Sequence, residues 1–127
     1  MGSRNMKEHV LVVDPDLVAA SRLRNDLYSR EYITRTAHRG DDPLSLLSTH
    51  RMGALVVKPD LPEHGIRWFY ARVSAQHPRL KDRLILMVDH ELSADAKALV
   101  ADTGCETVPS GVGGAELDET LSKHMRR

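Results

Sequence analysis

The chain has 127 residues, of which 41% are hydrophobic, so one domain with a single buried core is expected. Its eighteen basic and eighteen acidic residues cancel, which argues against a nucleic-acid or anionic membrane partner. The one cysteine, Cys105, cannot form an internal disulfide, and no run approaches the ~20 apolar residues of a membrane helix. We expect a cytoplasmic domain over residues 6–127, and a cloning remnant at residues 1–5, which lack the apolar stretch of a signal peptide.

The first predicted β-α unit covers residues 9–30. Residues 9–13 are a continuous apolar run, as expected for a strand that is covered on both faces. Asp16 can cap the helix that follows. The apolar residues of this helix recur at helical spacing: Leu17, Ala20, Leu23, Leu27 and Tyr28.

The β-α alternation continues to the end of the chain. Residues 32–37 alternate as an edge strand does, and Pro43 opens a helix over residues 44–47. The remaining strands are short apolar runs: residues 54–57, 84–88 and 106–108. The remaining helices carry apolar residues on one stripe: residues 66–76, 93–103 and 115–125.

Five strands alternating with five helices predict an α/β fold, a flavodoxin-like, doubly wound five-stranded parallel sheet with helices on both faces. In such a sheet, ligands and chemistry lie at the carboxyl ends of the strands. The residues that directly follow the strongest apolar runs are therefore the candidate site. They are Asp14, Lys58, Asp89 and, after the last strand, Ser110.

These positions and their order resemble the response-regulator receiver family over nearly the whole chain. Residues 10–14 are similar to its first strand and leading acid. Residues 55–57, followed by Pro62 and Gly65, are similar to its third strand and loop. Residues 104–105 stand where the family has Gly-Ala before the last strand. Each piece is weak alone, but their order and spacing make the resemblance specific.

The resemblance implies a phosphorylation site from which this sequence departs. Typical members have two acids for Mg²⁺, an acceptor aspartate after strand three, a Thr or Ser after strand four and a Lys after strand five. Of the paired acids only Asp14 is present, and counting four residues back from Pro62 places Lys58 at the acceptor position. The other departures are Pro15 at the second acid, Asp89 at the hydroxyl, Ser110 at the lysine, and Thr107 at an aromatic of strand five.

We therefore interpret the chain as a non-phosphorylatable pseudo-receiver, which is not an enzyme and uses no metal or other cofactor. An ammonium is a poor substitute for a carboxylate nucleophile, and Pro15 removes a hard oxygen ligand for Mg²⁺. Lys58 would lie between Asp14 and Asp89 as a built-in counter-ion. The alternative is that Lys58 extends into solvent, as most lysines do.

Two other functions stay open at this point. One is a phospho-accepting receiver of a two-component system with Asp60 as a displaced acceptor, although Asp60 fits a turn better. The other is a small flavodoxin-like ligand-binding or enzymatic domain that uses Asp14, Asp89 and His90. A metal site with His64 is disfavoured because no histidine has metal-ligand spacing.

The expected partners are proteins of a bacterial signalling pathway, a second copy of the chain, or an output domain in a longer parent protein. Trp68, Phe69 and Tyr70 cannot all face one core, and Trp68 is the outward candidate for a binding surface, although it could instead lie flat over a neighbouring loop. A second surface is a polar face on the last two helices, either a dimer contact or ordinary solvated surface. Its residues are Lys97, Asp102, Glu116, Glu119 and Lys123.

Overall fold

The computed structural model describes residues 7–38, 42–61, 65–89 and 91–125. The strands are β1 (Lys7–Val13), β2 (Tyr32–Ala37), β3 (Ala54–Val57), β4 (Leu84–Val88) and β5 (Glu106–Pro109). The α-helices are α1 (Leu17–Tyr28), α2 (Pro43–Thr49), α3 (Gly65–Gln76), α4 (Ala94–Thr103) and α5 (Gly114–Met125). A short 3₁₀ helix at Pro78–Leu80, which the sequence did not predict, precedes β4.

The five strands form one parallel sheet in the order β2-β1-β3-β4-β5. From β1 the chain first adds β2 on one side of the sheet and then adds β3, β4 and β5 in turn on the other side. Each connection between parallel neighbours needs a crossover, and the helices supply it. The predicted flavodoxin-like fold is therefore confirmed.

Local sequence signals fix where the helices begin and end. Asp16 caps α1, accepting hydrogen bonds from the amides of Val18 and Ala19, and Ser93 caps α4. Gly104 ends α4 with a φ of 68°, in the left-handed region that glycine adopts without strain.

The core lies in two layers because successive strand residues point to opposite faces of the sheet. In β1, Leu11 and Val13 pack in the layer under α2, α3 and α4. Val10 and Val12 pack in the layer under α1 and α5.

Two members of the predicted apolar stripe of α1 are not in the core. Ala20, Leu23 and Leu27 are buried, whereas Leu17 and Tyr28 are 53% and 63% exposed. At 100° per residue, Leu17 and Tyr28 lie about 90° or more from the centre of the buried stripe. Both also stand at the ends of the helix, where the sheet does not cover them.

Candidate functional site

The candidate residues are held by the sheet itself. The amide of Asp14 donates to Ala37 O at 3.0 Å, that of Lys58 to Val13 O at 2.8 Å, and that of Ser110 to Val88 O at 2.7 Å. Each bond continues the pairing of neighbouring strands by one residue beyond the strand end. At these three positions the backbone at the carboxyl edge therefore keeps the hydrogen bonding of the strands.

Lys58 joins the ends of three strands. Its Nζ donates to Ser110 Oγ at 3.2 Å and lies 3.7 Å from Asp89 Oδ1. The Lys58 side chain is 24% exposed and that of Asp89 57% exposed, so the ion pair is partly hydrated. The structure thus brings Lys58, Asp89 and Ser110 together across the ends of β3, β4 and β5.

Asp14 does not take part in this contact, contrary to the expectation that Lys58 would lie between Asp14 and Asp89. Asp14 is 6% exposed, and its carboxylate accepts a hydrogen bond from the Asp16 amide at 2.9 Å. No ion pair joins it to Lys58 within the described part of the chain. The reason is that Lys58 reaches toward β4 and β5, whereas Asp14 turns to the loop that follows β1.

The site does not fit Mg²⁺, the ion that the fold would suggest. Asp14 has the half-buried Pro15, rather than a second acid, beside it. The side chain that directly follows β3 is the ammonium of Lys58, whereas Mg²⁺ requires hard oxygen donors in near-octahedral geometry. Among the described residues, no group of three or more His, Cys, Asp or Glu side chains is arranged to hold a metal.

Asp60 is exposed in the loop after β3, where the Leu61 amide donates to Pro59 O at 2.8 Å. It lines a cavity of about 20 Å³ that Lys58 and Asp89 also line. A space of that size holds about one water molecule. The neighbouring residues Pro62, Glu63 and His64, as well as His90 and residues 1–5, lie outside the described residues.

Trp68 is the exposed member of the aromatic triplet. It is 37% exposed, whereas Phe69 is 2% exposed and packs in the core. The Arg72 guanidinium lies 5.0 Å from the centroid of the Trp68 ring, one helical turn further along α3, in cation–π geometry. Trp68 and Arg72 therefore present an amphipathic patch on α3.

The predicted polar face lies at the β5 edge of the sheet. Lys97 of α4 and three residues of α5 are exposed there: Glu116, Glu119 and Lys123. Asp102 is also exposed but pairs with Arg67 of α3 at 3.3 Å. Thr107 is exposed beside Ser110 in an open cleft of about 400 Å³ along β5. The sequence indicated only that Thr107 stands at an aromatic position of the family, and it did not predict the cleft.

Solved structures that superpose on this chain include receiver domains of signalling proteins. No protein-family model and no curated protein matches the sequence. The chemotaxis protein CheY4 of Vibrio cholerae superposes with a TM-score of 0.77 at 20% identity, covering 94% of this chain and 99% of that one. The signal receiver domain of an HD domain-containing protein of Pseudomonas fluorescens gives a TM-score of 0.79 at 20% identity, covering 98% and 91%.

A third match is NtrX of Brucella abortus, with a TM-score of 0.80 at 15% identity, covering 94% of this chain but 27% of that one. The chain therefore has the fold of response-regulator receiver domains, as the sequence resemblance implied. None of the described helices has the length and apolar character needed to cross a membrane.

Proposed function

We propose that this chain is a pseudo-receiver, a protein-interaction module of a cytoplasmic bacterial signalling pathway that acts without accepting a phosphoryl group. The observation that carries the proposal is the position of Lys58. It follows β3 directly, at the carboxyl edge of the sheet where the resemblance places the acceptor aspartate, and its ammonium contacts Asp89 and Ser110.

The chemistry of phosphorylation supports this assignment. An acyl phosphate forms when a carboxylate oxygen attacks phosphorus, and Lys58 has no such oxygen. Metal ions normally neutralise the developing charge of a transferring phosphoryl group, and the acids among the described residues do not group into a metal site. The Lys58–Asp89 pair instead balances part of the charge internally, and the proposed site keeps one arrangement rather than switching between two.

The proposed partners are signalling proteins, a second copy of the chain, or an output domain of a longer parent protein. The Trp68 patch and the polar face of α4 and α5 are the two candidate surfaces. Tryptophan and arginine are the residue types most enriched at binding hot spots, which favours the patch of Trp68 and Arg72. In NtrX of Brucella abortus the matching fold is one part of a longer chain, which supports the third alternative.

Phosphorylation is tested by incubation with acetyl phosphate and Mg²⁺, followed by intact-mass measurement. We expect no added phosphoryl mass on the wild-type chain. Asp60→Asn is the matched variant, because Asp60 is the exposed carboxylate nearest in sequence to Lys58. A stable added mass that is lost in Asp60→Asn would establish a displaced acceptor and overturn the proposal.

Self-association is tested by sedimentation equilibrium over a range of protein concentrations. If the Trp68 patch forms a dimer contact, Trp68→Ala weakens association, whereas Tyr28→Ala, which removes another exposed aromatic, leaves it unchanged. Charge reversal at Lys97 and Glu119 tests the polar face in the same assay. A monomer at all concentrations would leave signalling proteins or an output domain as the partner.

A further inference from the structure

A second cleft lies at the opposite end of the sheet from Lys58. Its volume is about 400 Å³, and it is formed by residues 47–52, at the end of α2 and before β3, and residues 77–80, at the end of α3 and in the 3₁₀ helix. We call it the basic cleft, because its charged or titratable lining consists of His50, Arg51, His77 and Arg79. None of the described residues that line it is an aspartate or glutamate.

The walls of the basic cleft are held in place by hydrogen bonds. Arg79 Nη2 donates to Met52 O at 2.7 Å, which ties the 3₁₀ helix to the loop before β3. On the other side of that loop, the Gly53 amide donates to His9 O at 2.7 Å. Leu47, Met52 and Leu80 are almost fully buried and form an apolar floor. The cleft is thus built from core-anchored segments.

One of the two histidines in the lining has a ring nitrogen without a hydrogen-bond partner. His77 Nε2 is buried and has no hydrogen-bond partner among the described residues. A buried polar atom of this kind is destabilising unless a partner satisfies it. The exposed Arg51 forms no ion pair with any described residue, and its guanidinium retains the paired donors that match oxyanions.

We propose that the basic cleft binds a small oxyanionic ligand, one that carries phosphate or carboxylate groups. Guanidinium and imidazole groups recognise both, and the volume is that of a small-molecule site. Among the described residues that line the cleft there is no phenylalanine, tyrosine or tryptophan, so the lining offers mainly charge and hydrogen bonds. The inference does not depend on the proposed function, because it involves none of the residues around Lys58.

The test is a titration of the ¹⁵N-labelled full chain with sodium pyrophosphate and, in parallel, with sodium citrate, followed by amide chemical shifts. We expect saturable shifts confined to residues 47–53 and 77–81 with at least one of the two anions. The anion that gives saturable shifts identifies whether the cleft prefers phosphate or carboxylate groups. Sodium chloride at matched ionic strength controls for general screening.

Two substitutions make the result specific. Arg51→Ala removes an exposed side chain and is expected to weaken binding about tenfold, as for loss of one charge-assisted contact. Arg24→Ala, which removes an exposed guanidinium of α1 outside the cleft, is expected to leave binding unchanged. Shifts that do not saturate with either anion, that chloride reproduces, or that weaken equally in both variants would overturn the proposal.

Discussion

The Gly114 amide, at the start of α5, donates to the Asp26 carboxylate of α1 at 2.6 Å. A side chain of one helix therefore caps the first turn of another, which satisfies an amide that the helix itself cannot pair. One turn further along α5, Asp118 accepts a hydrogen bond from the hydroxyl of the buried Tyr32 at 2.6 Å. These two bonds fix α5 against α1 and β2, on the face of the sheet away from α3.

Gly114→Ala should destabilise the protein through Asp26 and not through the backbone. A Cβ at position 114 would lie 2.6 to 2.8 Å from the carboxylate atoms of Asp26, closer than packing permits. We expect a loss of about 1–3 kcal/mol in the free energy of unfolding, as for other overpacked sites. Urea denaturation of Gly114→Ala, Asp26→Ala and the double variant measures it. The double variant should lose less than the sum of the single losses, and simple additivity would contradict this explanation.

Tyr32→Phe should cost about 1–2 kcal/mol, because it removes the donor to Asp118 while keeping the buried ring. Tyr32 is 2% exposed. The matched control is Tyr28→Phe, which makes the same chemical change on a ring that is 63% exposed and is expected to alter stability by less than about 0.5 kcal/mol. Equal effects of the two substitutions would show that the bond to Asp118 contributes nothing.

The sequence predicted the sheet because each strand is a short apolar run bounded by strong local signals. Pro59 after β3, Ser93 before α4 and Gly104 after it all act within a few residues of where they stand. The aromatic triplet was also interpretable, since the 100° spacing of a helix leaves Trp68 outside when Phe69 is in the core. Short-range sequence signals and helical periodicity were therefore sufficient to predict these features.

Contacts between distant elements were not predictable in the same way. The expected pairing of Lys58 with Asp14 was wrong, because it depended on the side of β3 toward which the flexible Lys58 side chain extends. The Asp26 cap on α5 and the lining of the basic cleft join segments that no local pattern connects. The 3₁₀ helix at Pro78–Leu80 was missed because a proline that ends α3 equally well begins another short turn.

The Lys58–Asp89 pair should stabilise the fold only slightly. Because Asp89 is more than half exposed, its charge is screened by water, and partly exposed pairs contribute less than about 1 kcal/mol. A double-mutant cycle with Lys58→Met and Asp89→Asn measures the coupling free energy by urea denaturation. We expect a small positive coupling that falls with added salt. A coupling of several kcal/mol would mean that the pair is far less hydrated than its exposure indicates.

Introducing acids at positions 15 and 58 should create a Mg²⁺ site at the carboxyl edge of the sheet. Pro15→Asp with Lys58→Asp would place two carboxylates beside Asp14 and remove the ammonium, giving oxygen ligands of the kind that Mg²⁺ prefers. We expect the double variant to gain thermal stability on addition of Mg²⁺, while the wild-type melting temperature stays unchanged. Equal responses would show that Lys58 and Pro15 do not determine metal binding.

Because of Cys105, the free energy of unfolding should decrease as the pH rises through the alkaline range. Burial raises the pKa of the Cys105 thiol above its ordinary value of 9.0, and a hydrogen bond involving Thr103 opposes part of this rise. Because the folded-state pKa is the higher one, the fold favours the neutral thiol. That contribution is complete below the unfolded pKa and is lost as the pH rises through the folded pKa.

Wild type should therefore lose more stability than Cys105→Ala between about pH 7 and pH 10, measured as the difference in melting temperature between the two proteins at each pH. Other alkaline titrations occur in both proteins and cancel in this difference. The same burial predicts slow alkylation of Cys105 by iodoacetamide near neutral pH, because the thiolate is the reactive species. A difference in melting temperature that is constant with pH, together with fast alkylation, would show that the thiol ionises as freely in the folded chain as in the unfolded one.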